Sequence, residues 1–196
     1  MPPGTRDQLI EMATRLLDEG GPEAVTLREV GRLAGVSHNA PYKHFTNKEA
    51  LLSAIAAREL TRSHTALKSA IAQGRPPADV LRTTLHHYIA RALEYPARFK
   101  LTFGTWTTAS EELHVAAHQA QTLLVDVVAA SQRAGALPSG DPVRLASLLR
   151  ALAHGAADLA SAGHLAADGK GHADPGDLVD DLLHYLRKAA PNRPGG

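Results

Sequence analysis

The chain has 196 residues, 44% of them apolar, and a formal net charge of +1, enough to bury a proper core as one body or as a small head and a larger body. It contains no cysteine, which excludes a disulfide framework, iron–sulfur clusters and thiol catalysis and is compatible with a reducing compartment. No apolar run approaches the roughly 20 residues of a membrane span, and the opening MPPGTRDQ has no signal-peptide core, so a cytoplasmic location with no membrane partner is expected.

Leu9, Ile10, Ala13, Leu16 and Leu17 mark one face of a first helix from about Thr5 to Glu19, which Gly20-Gly21-Pro22 ends. Thr26 and Glu29 are spaced as a capping box for a helix from Leu27 to Ala34. Gly35 stops it by taking the left-handed conformation, with Val36 folding back as an apolar plug in the turn. Ser37 reads as the cap of a very short helix, His38 to Phe45. Thr46 with Glu49 forms a second capping box, opening a long helix near Asn47 that carries Leu51, Leu52, Ile55, Leu60 and Leu67 to about Gln73. Gly74-Arg75-Pro76-Pro77 is the clearest punctuation in the chain.

Beyond it the pattern predicts a helix from about Ala78 to Glu94, a short segment from Pro96 to Gly104, and a long helix from about Ser110 to Ala134. Two more helices follow, one after Asp141-Pro142 to about Ala162 and one from Asp174-Pro175 to about Ala189, each with Asp positioned to cap and Pro in the first turn. The Gly/Asp-rich stretch from Gly163 to Gly176 separates them, and the ends MPPG and PNRPGG read as frayed. With no strand pattern, internal repeat or coiled-coil heptad, the fold class is all-α.

The short helices before residue 49 read as a helix-turn-helix. Tyr42 and Phe45, three apart, are expected to pack inward or against the neighbouring helix, leaving His38, Asn39, Ala40 and Lys43 on the outward face. Asn bonds an adenine edge bidentately, Lys and His donate to guanine, and Ala permits close approach to a thymine methyl. Thr26, Ser37, Tyr42, His44 and Lys48 are placed for the flanking phosphates, Thr26 offering a hydroxyl at a helix start. Pro41 deletes an amide early in the short helix and predicts a tight first turn. Charge is focused on this segment: residues 26–48 carry Arg28, Arg32, Lys43 and Lys48 against Glu29, whereas residues 1–25 carry Arg6 and Arg15 against five carboxylates. A compact basic patch suits a small DNA footprint whose affinity falls steeply with salt.

The pattern T-L-R-x-V-(x)3-A-G-V-S-x-x-x-x-Y-x-H-F-x-x-K-E-x-L resembles the N-terminal DNA-binding domain of TetR-type (TetR/AcrR) transcriptional repressors. The resemblance implies that Thr26, Tyr42, His44 and Lys48 contact phosphates and that His38, Asn39, Ala40 and Lys43 read bases, joined by Arg28. Farther on, EYPARFKLTFG and ALAHGAADLASAGHL resemble the effector domain of the subgroup named for a Trp-His-Gly signature. Here Ala153 stands where that signature has Trp, while His154 and Gly155 remain.

A ligand site is expected among the few aromatics, with Tyr88, Phe99, Phe103, Trp106 and His154 as candidates near Tyr95; core filling is the bland alternative for each. Dimerisation is expected through the last two helices, at Leu145, Leu149, Leu152, Ala156, Leu178, Leu182 and Tyr185, because the helix 142–162 is apolar over more than one core-facing stripe. His114 and His118 are four apart with Glu111 one turn earlier, but a metalloprotease helix needs Glu where Val115 stands, and His86-His87 point apart. No Gly-rich phosphate loop or nucleophile elbow is present, so no metal, cofactor or catalytic residue is assigned and no enzyme is expected.

The expected division is a DNA-binding domain at 1–61 and an effector-binding and dimerisation domain at 62–196, meeting inside the long helix near Arg62. The function expected is a homodimeric repressor that a small-molecule effector releases from a palindromic double-stranded operator. The alternative is a helical metal-binding protein or enzyme using the His-rich body.

Overall fold

The computed structural model describes residues 4–190, and the fraying expected at the extreme ends lies largely outside them. Among the described residues the secondary structure is nine helices and no strand: α1 Thr5–Ala24, α2 Leu27–Leu33, α3 Ala40–His44, α4 Lys48–Ala72, α5 Pro77–Glu94, α6 Pro96–Thr102, α7 Glu111–Arg133, α8 Pro142–Ser161 and α9 Pro175–Ala189. Two compact units result. Among the described residues the first combines residues 4–62 with Tyr95–Gln119, and the second combines Ser63–Glu94 with residues 120–190.

In the first unit, Leu9, Ile10, Ala13 and Leu17 of α1 form one buried stripe against Val25, Leu27, Val30, Phe45, Leu51 and Ile55. Gly21 breaks α1 with a φ of 68°, a left-handed value that glycine adopts without a Cβ penalty. The helix expected to end there resumes for one more turn to Ala24, Pro22 supplying a preset φ after the break. Ala97, Leu101 and Trp106 pack on the same core, so a segment distant in sequence completes this unit.

That segment is fastened by polar ties. The Arg98 guanidinium donates to both carboxylate oxygens of Asp18 at 2.8 and 2.5 Å, reaches Glu59 at 3.4 Å, and lies 4.1 Å above the Tyr95 ring. Arg6 donates to Glu112 at 2.5 Å. Glu49, expected to cap the helix it begins, instead accepts from the amides and hydroxyls of Thr107 and Thr108 at 2.6 to 2.9 Å. These bonds, the Thr108 hydroxyl foremost, hold its carboxyl down to about 2. The cap of α4 is Asn47, whose Oδ1 accepts from the Ala50 amide at 2.8 Å.

The second unit packs α5, α8 and α9 together. Val80, Leu81, Leu85 and Ile89 of α5 meet Ala146, Leu149, Ala153 and Ala157 of α8 and Val179 and Leu183 of α9 in its buried core. Asp141 caps α8 by accepting from the Val143 amide at 2.9 Å, and the Asp177 carboxylate accepts from the Asp174 amide at the start of α9. Asp180 binds Arg82 through both oxygens and His86 at 2.8 Å, fastening α9 to α5; Arg82 foremost holds its carboxyl at about 2.

Candidate nucleic-acid interface

The turn between α2 and α3 is built from backbone chemistry. Gly35 takes a φ of 66°, the Gly35 amide donates to the Arg32 carbonyl and the Val36 amide donates to the Gly31 carbonyl, each at 3.2 Å. That pair of bonds is a Schellman stop, which satisfies the last carbonyls of α2. The chain re-enters helix after a tight turn in which the Ala40 amide donates to the Ser37 carbonyl at 2.9 Å. The second helix of the pair is therefore Ala40–His44, shorter than the expected His38 to Phe45, and the residue before it, Asn39, makes no side-chain cap. Ser37 likewise does not cap it.

Two buried residues set the spacing of the pair. Gly31 and Pro41 approach so closely that a Cβ on Gly31 would lie 2.7 Å from the Pro41 Cγ. Pro41 and Phe45 thus occupy the inner face of α3. Tyr42, expected inward beside Phe45, is 51% exposed and turns its ring to 6.0 Å from that of His38. The physical reason is the phase of so short a helix: positions 41 and 45 are one turn apart, and Pro41 fills the space that a tyrosine would need. Arg6 lies 5.4 Å over the Phe45 ring, covering its outer side.

On the outer surface, His38, Asn39 and Lys43 are exposed and Ala40 is half-buried. Thr26, Arg28, Ser37, Tyr42 and His44 are exposed too, and Lys48 is half-buried with its Nζ 3.5 Å from a freely exposed Glu23 carboxylate. The first capping box is only half formed. Thr26 Oγ1 accepts from the Glu29 amide at 3.2 Å, while the Glu29 carboxylate turns to Arg32 at 2.9 and 2.6 Å. That pairing, led by the Arg32 hydrogen bonds, lowers the Glu29 pKa and removes Arg32 from the free cations. Arg28 and Lys43 form no ion pair among the described residues.

The effector candidates fall in two units. Tyr88 and His154 join in the second unit by a hydrogen bond of 2.9 Å between the phenol oxygen and Nδ1, and burial pushes the Tyr88 phenol up. Phe99 and Phe103 meet in the first unit with ring centroids 5.0 Å apart and planes tilted by 59°, and in the same unit Trp106 lines a cavity of about 550 Å³.

The dimer candidates also divide. Leu149 is 1% and Ala156 3% exposed, packed in their own chain's core, and so cannot face a second copy. Leu145, Leu152, Leu178 and Leu182 are half-buried and Tyr185 is exposed. Leu148 and Leu159, which belong to the wide apolar surface expected of this helix but not to the interface set drawn from it, are 64% and 48% exposed. With Leu152 and Gly155 they run at spacings of four, three and four along the outer face of α8. His114 and His118 are both exposed, and among the described residues no cluster of three metal-ligating side chains occurs. No helix there is long and apolar enough to cross a membrane.

Residues 81–186 match the family model for the tetracyclin repressor-like C-terminal domain, and residues 9–55 match that for bacterial regulatory proteins of the tetR family. The class C tetracycline repressor of Escherichia coli is 43% identical over 60 residues, covering 31% of this chain and 27% of that protein. The chain thus aligns with less than half the length of such curated relatives. A solved protein of unknown function from Rhodococcus sp. RHA1 superposes with a TM-score of 0.82 at 30% identity, covering 96% of each chain. Thermus thermophilus FadR shares the fold at a TM-score of 0.65 and 19% identity, covering 97% of this chain and 100% of its own.

Proposed function

From the premise that this chain belongs to the TetR family of bacterial regulatory proteins, we propose that it is a transcriptional repressor that a small molecule releases from a palindromic operator. The observation that carries the reading is the exposed set His38, Asn39 and Lys43, presented by a five-residue helix and the tight turn that leads into it, which the buried Gly31–Pro41 contact holds at fixed spacing from α2. Such a surface offers donors and acceptors to base edges in a major groove. In this reading His38, Asn39, Ala40, Lys43 and Arg28 read bases, while Thr26, Ser37, Tyr42, His44 and Lys48 grip phosphates.

DNA recognition belongs to residues 1–61, and effector binding and dimerisation to residues 62–196, within a cytoplasmic homodimer that is not an enzyme. The half-buried Leu145, Leu152, Leu178 and Leu182 with exposed Tyr185, now joined by Leu148 and Leu159, supply the self-complementary surface. Tyr88, Phe99, Phe103, Trp106 and His154 are the effector candidates. Thermus thermophilus FadR is a repressor solved with lauroyl-CoA, which supports a ligand-responsive role for this fold. An effector weakens operator binding only by preferring the DNA-incompetent state, since equal affinity for both states shifts nothing.

The test is selection of an operator from a random duplex library, followed by titration of that operator and of random DNA at two salt concentrations. The repressor reading requires an enriched palindrome and affinity that falls with salt. Metal uptake with no salt-dependent DNA binding would overturn it in favour of a metalloprotein.

A further inference from the structure

We propose that the cavity walled by Pro22, Leu52, Ala97, Lys100 and Trp106 on the first unit is a binding site for a small aromatic carboxylate. Its volume of about 550 Å³ falls in the range of roughly 300–1,000 Å³ usual for small-ligand pockets. Leu52, Ala97, Leu101, Pro22 and Pro96 give it an apolar lining, to which Trp106 adds an indole. An indole in an apolar lining suits a planar ring, which stacks on it at little cost in conformational entropy.

The polar groups select the sign of the ligand's charge. Glu49 lines the cavity, but its carboxylate is committed to four donors of Thr107 and Thr108. It keeps its negative charge at neutral pH, but the Thr107 and Thr108 donors solvate that charge and leave no lone pair for a cation, so Glu49 serves to hold the segment that carries Trp106. Lys100 is exposed at the wall and forms no ion pair among the described residues, and the half-buried Trp106 indole N–H has no acceptor among them either. One uncommitted cation and one uncommitted N–H among the residues lining the same cavity call for a single anionic acceptor, which a carboxylate provides. A phosphoanhydride would need several cations and finds one.

The site shares Trp106 with the effector set proposed above, and it rests on that repressor reading only for its effect on DNA. Pro22, Leu52 and Ala97 belong to α1, α4 and α6, so a bound ring would bridge the elements that Arg98 already ties. Lys48, proposed to grip phosphate, precedes Glu49 in the first turn of α4.

The probe is 2-naphthoate, titrated into the full-length protein. Trp106 is the only tryptophan of the chain, so its fluorescence reports the cavity directly. A saturable change below about 1 mM is expected, weakened about tenfold or more by Lys100→Glu and kept within about threefold by Lys100→Arg. Naphthalene-2-methanol and decanoate, which lack the charge and the ring respectively, should each bind about tenfold more weakly. Ala97→Phe fills the cavity and should abolish the signal; circular dichroism checks its folding, and the exposed Lys100 variants keep the test decisive if it fails to fold. Absence of a saturable signal, equal binding by Lys100→Glu, or equal binding of the alcohol would overturn the proposal. Loss of operator binding alone, with the Lys100-dependent signal intact, would overturn the repressor reading and leave this site standing.

Discussion

Gly31→Ala is expected to loosen the helix-turn-helix even though alanine is the better helix former. The substitution gains about 0.8–1 kcal/mol of helix propensity inside α2. Its Cβ, however, would stand 2.7 Å from the Pro41 Cγ and 3.4 Å from the Pro41 Cδ, where carbon atoms prefer about 3.5–4.0 Å. The pyrrolidine ring is closed onto its own backbone and cannot swing aside, so α3 must retreat by roughly 0.8 Å or more. Overpacking costs about 1–3 kcal/mol, and an approach of 2.7 Å to a rigid ring belongs in the upper half of that range, leaving a net loss of about 1–2 kcal/mol in urea unfolding. Operator affinity should fall as well, because His38, Asn39 and Lys43 move with the helix. Pro41→Ala removes the obstructing ring, so the double variant should recover most of the loss, a coupling of about 1 kcal/mol or more in a double-mutant cycle. A Gly31→Ala protein as stable as the parent, or a double variant no better than the single one, would refute the argument.

On the selected operator, Asn39→Ala and Lys43→Ala should each cost about 1–3 kcal/mol and relax preference at one position, whereas Lys48→Ala should weaken cognate and random DNA alike; fluorescence anisotropy against both duplexes distinguishes these. Leu148→Glu should yield a folded monomer by sedimentation equilibrium, because that side chain is 64% exposed in the single chain, while Leu149→Ala one residue on should instead destabilise the protomer by about 2–5 kcal/mol. Glu49 has its pKa lowered from 4.5 to about 2 in the folded chain, so the stability it contributes is present above pH 4.5 and is lost as pH falls toward 2. Glu49→Gln should be less stable than the parent near neutrality and converge on it across that acid window, read as urea midpoints at a series of pH values.

What the sequence made legible was local chemistry. Gly35 announces a left-handed stop, Asp141-Pro142 and Asp174-Pro175 announce helix starts, and each works within four residues. Glu49 was misread for the opposite reason: its spacing from Thr46 satisfies a capping box, yet its partners lie 58 and 59 residues away. Nothing local distinguishes those two fates. The Gly31–Pro41 approach was likewise invisible, since a glycine inside a helix signals close packing without naming its neighbour. In α8 the difficulty was phase. Leucine and alanine cover so much of the helix that 146, 149, 153 and 157 could not be separated as core from 148, 152 and 159 as surface until α5 and α9 were in place.

The first unit is assembled from two stretches of chain, and this governs what engineering it will tolerate. A cassette cut as residues 1–62 would leave Asp18 and Glu49 without Arg98, Thr107 and Thr108, and would strip Ala97, Leu101 and Trp106 from the apolar surface they cover. A chimera that transplants this unit onto a foreign partner therefore has to carry the stretch 95–119 with it. Conversely, random mutagenesis for operator-blind variants should score hits inside that stretch, far from any base-reading side chain in sequence.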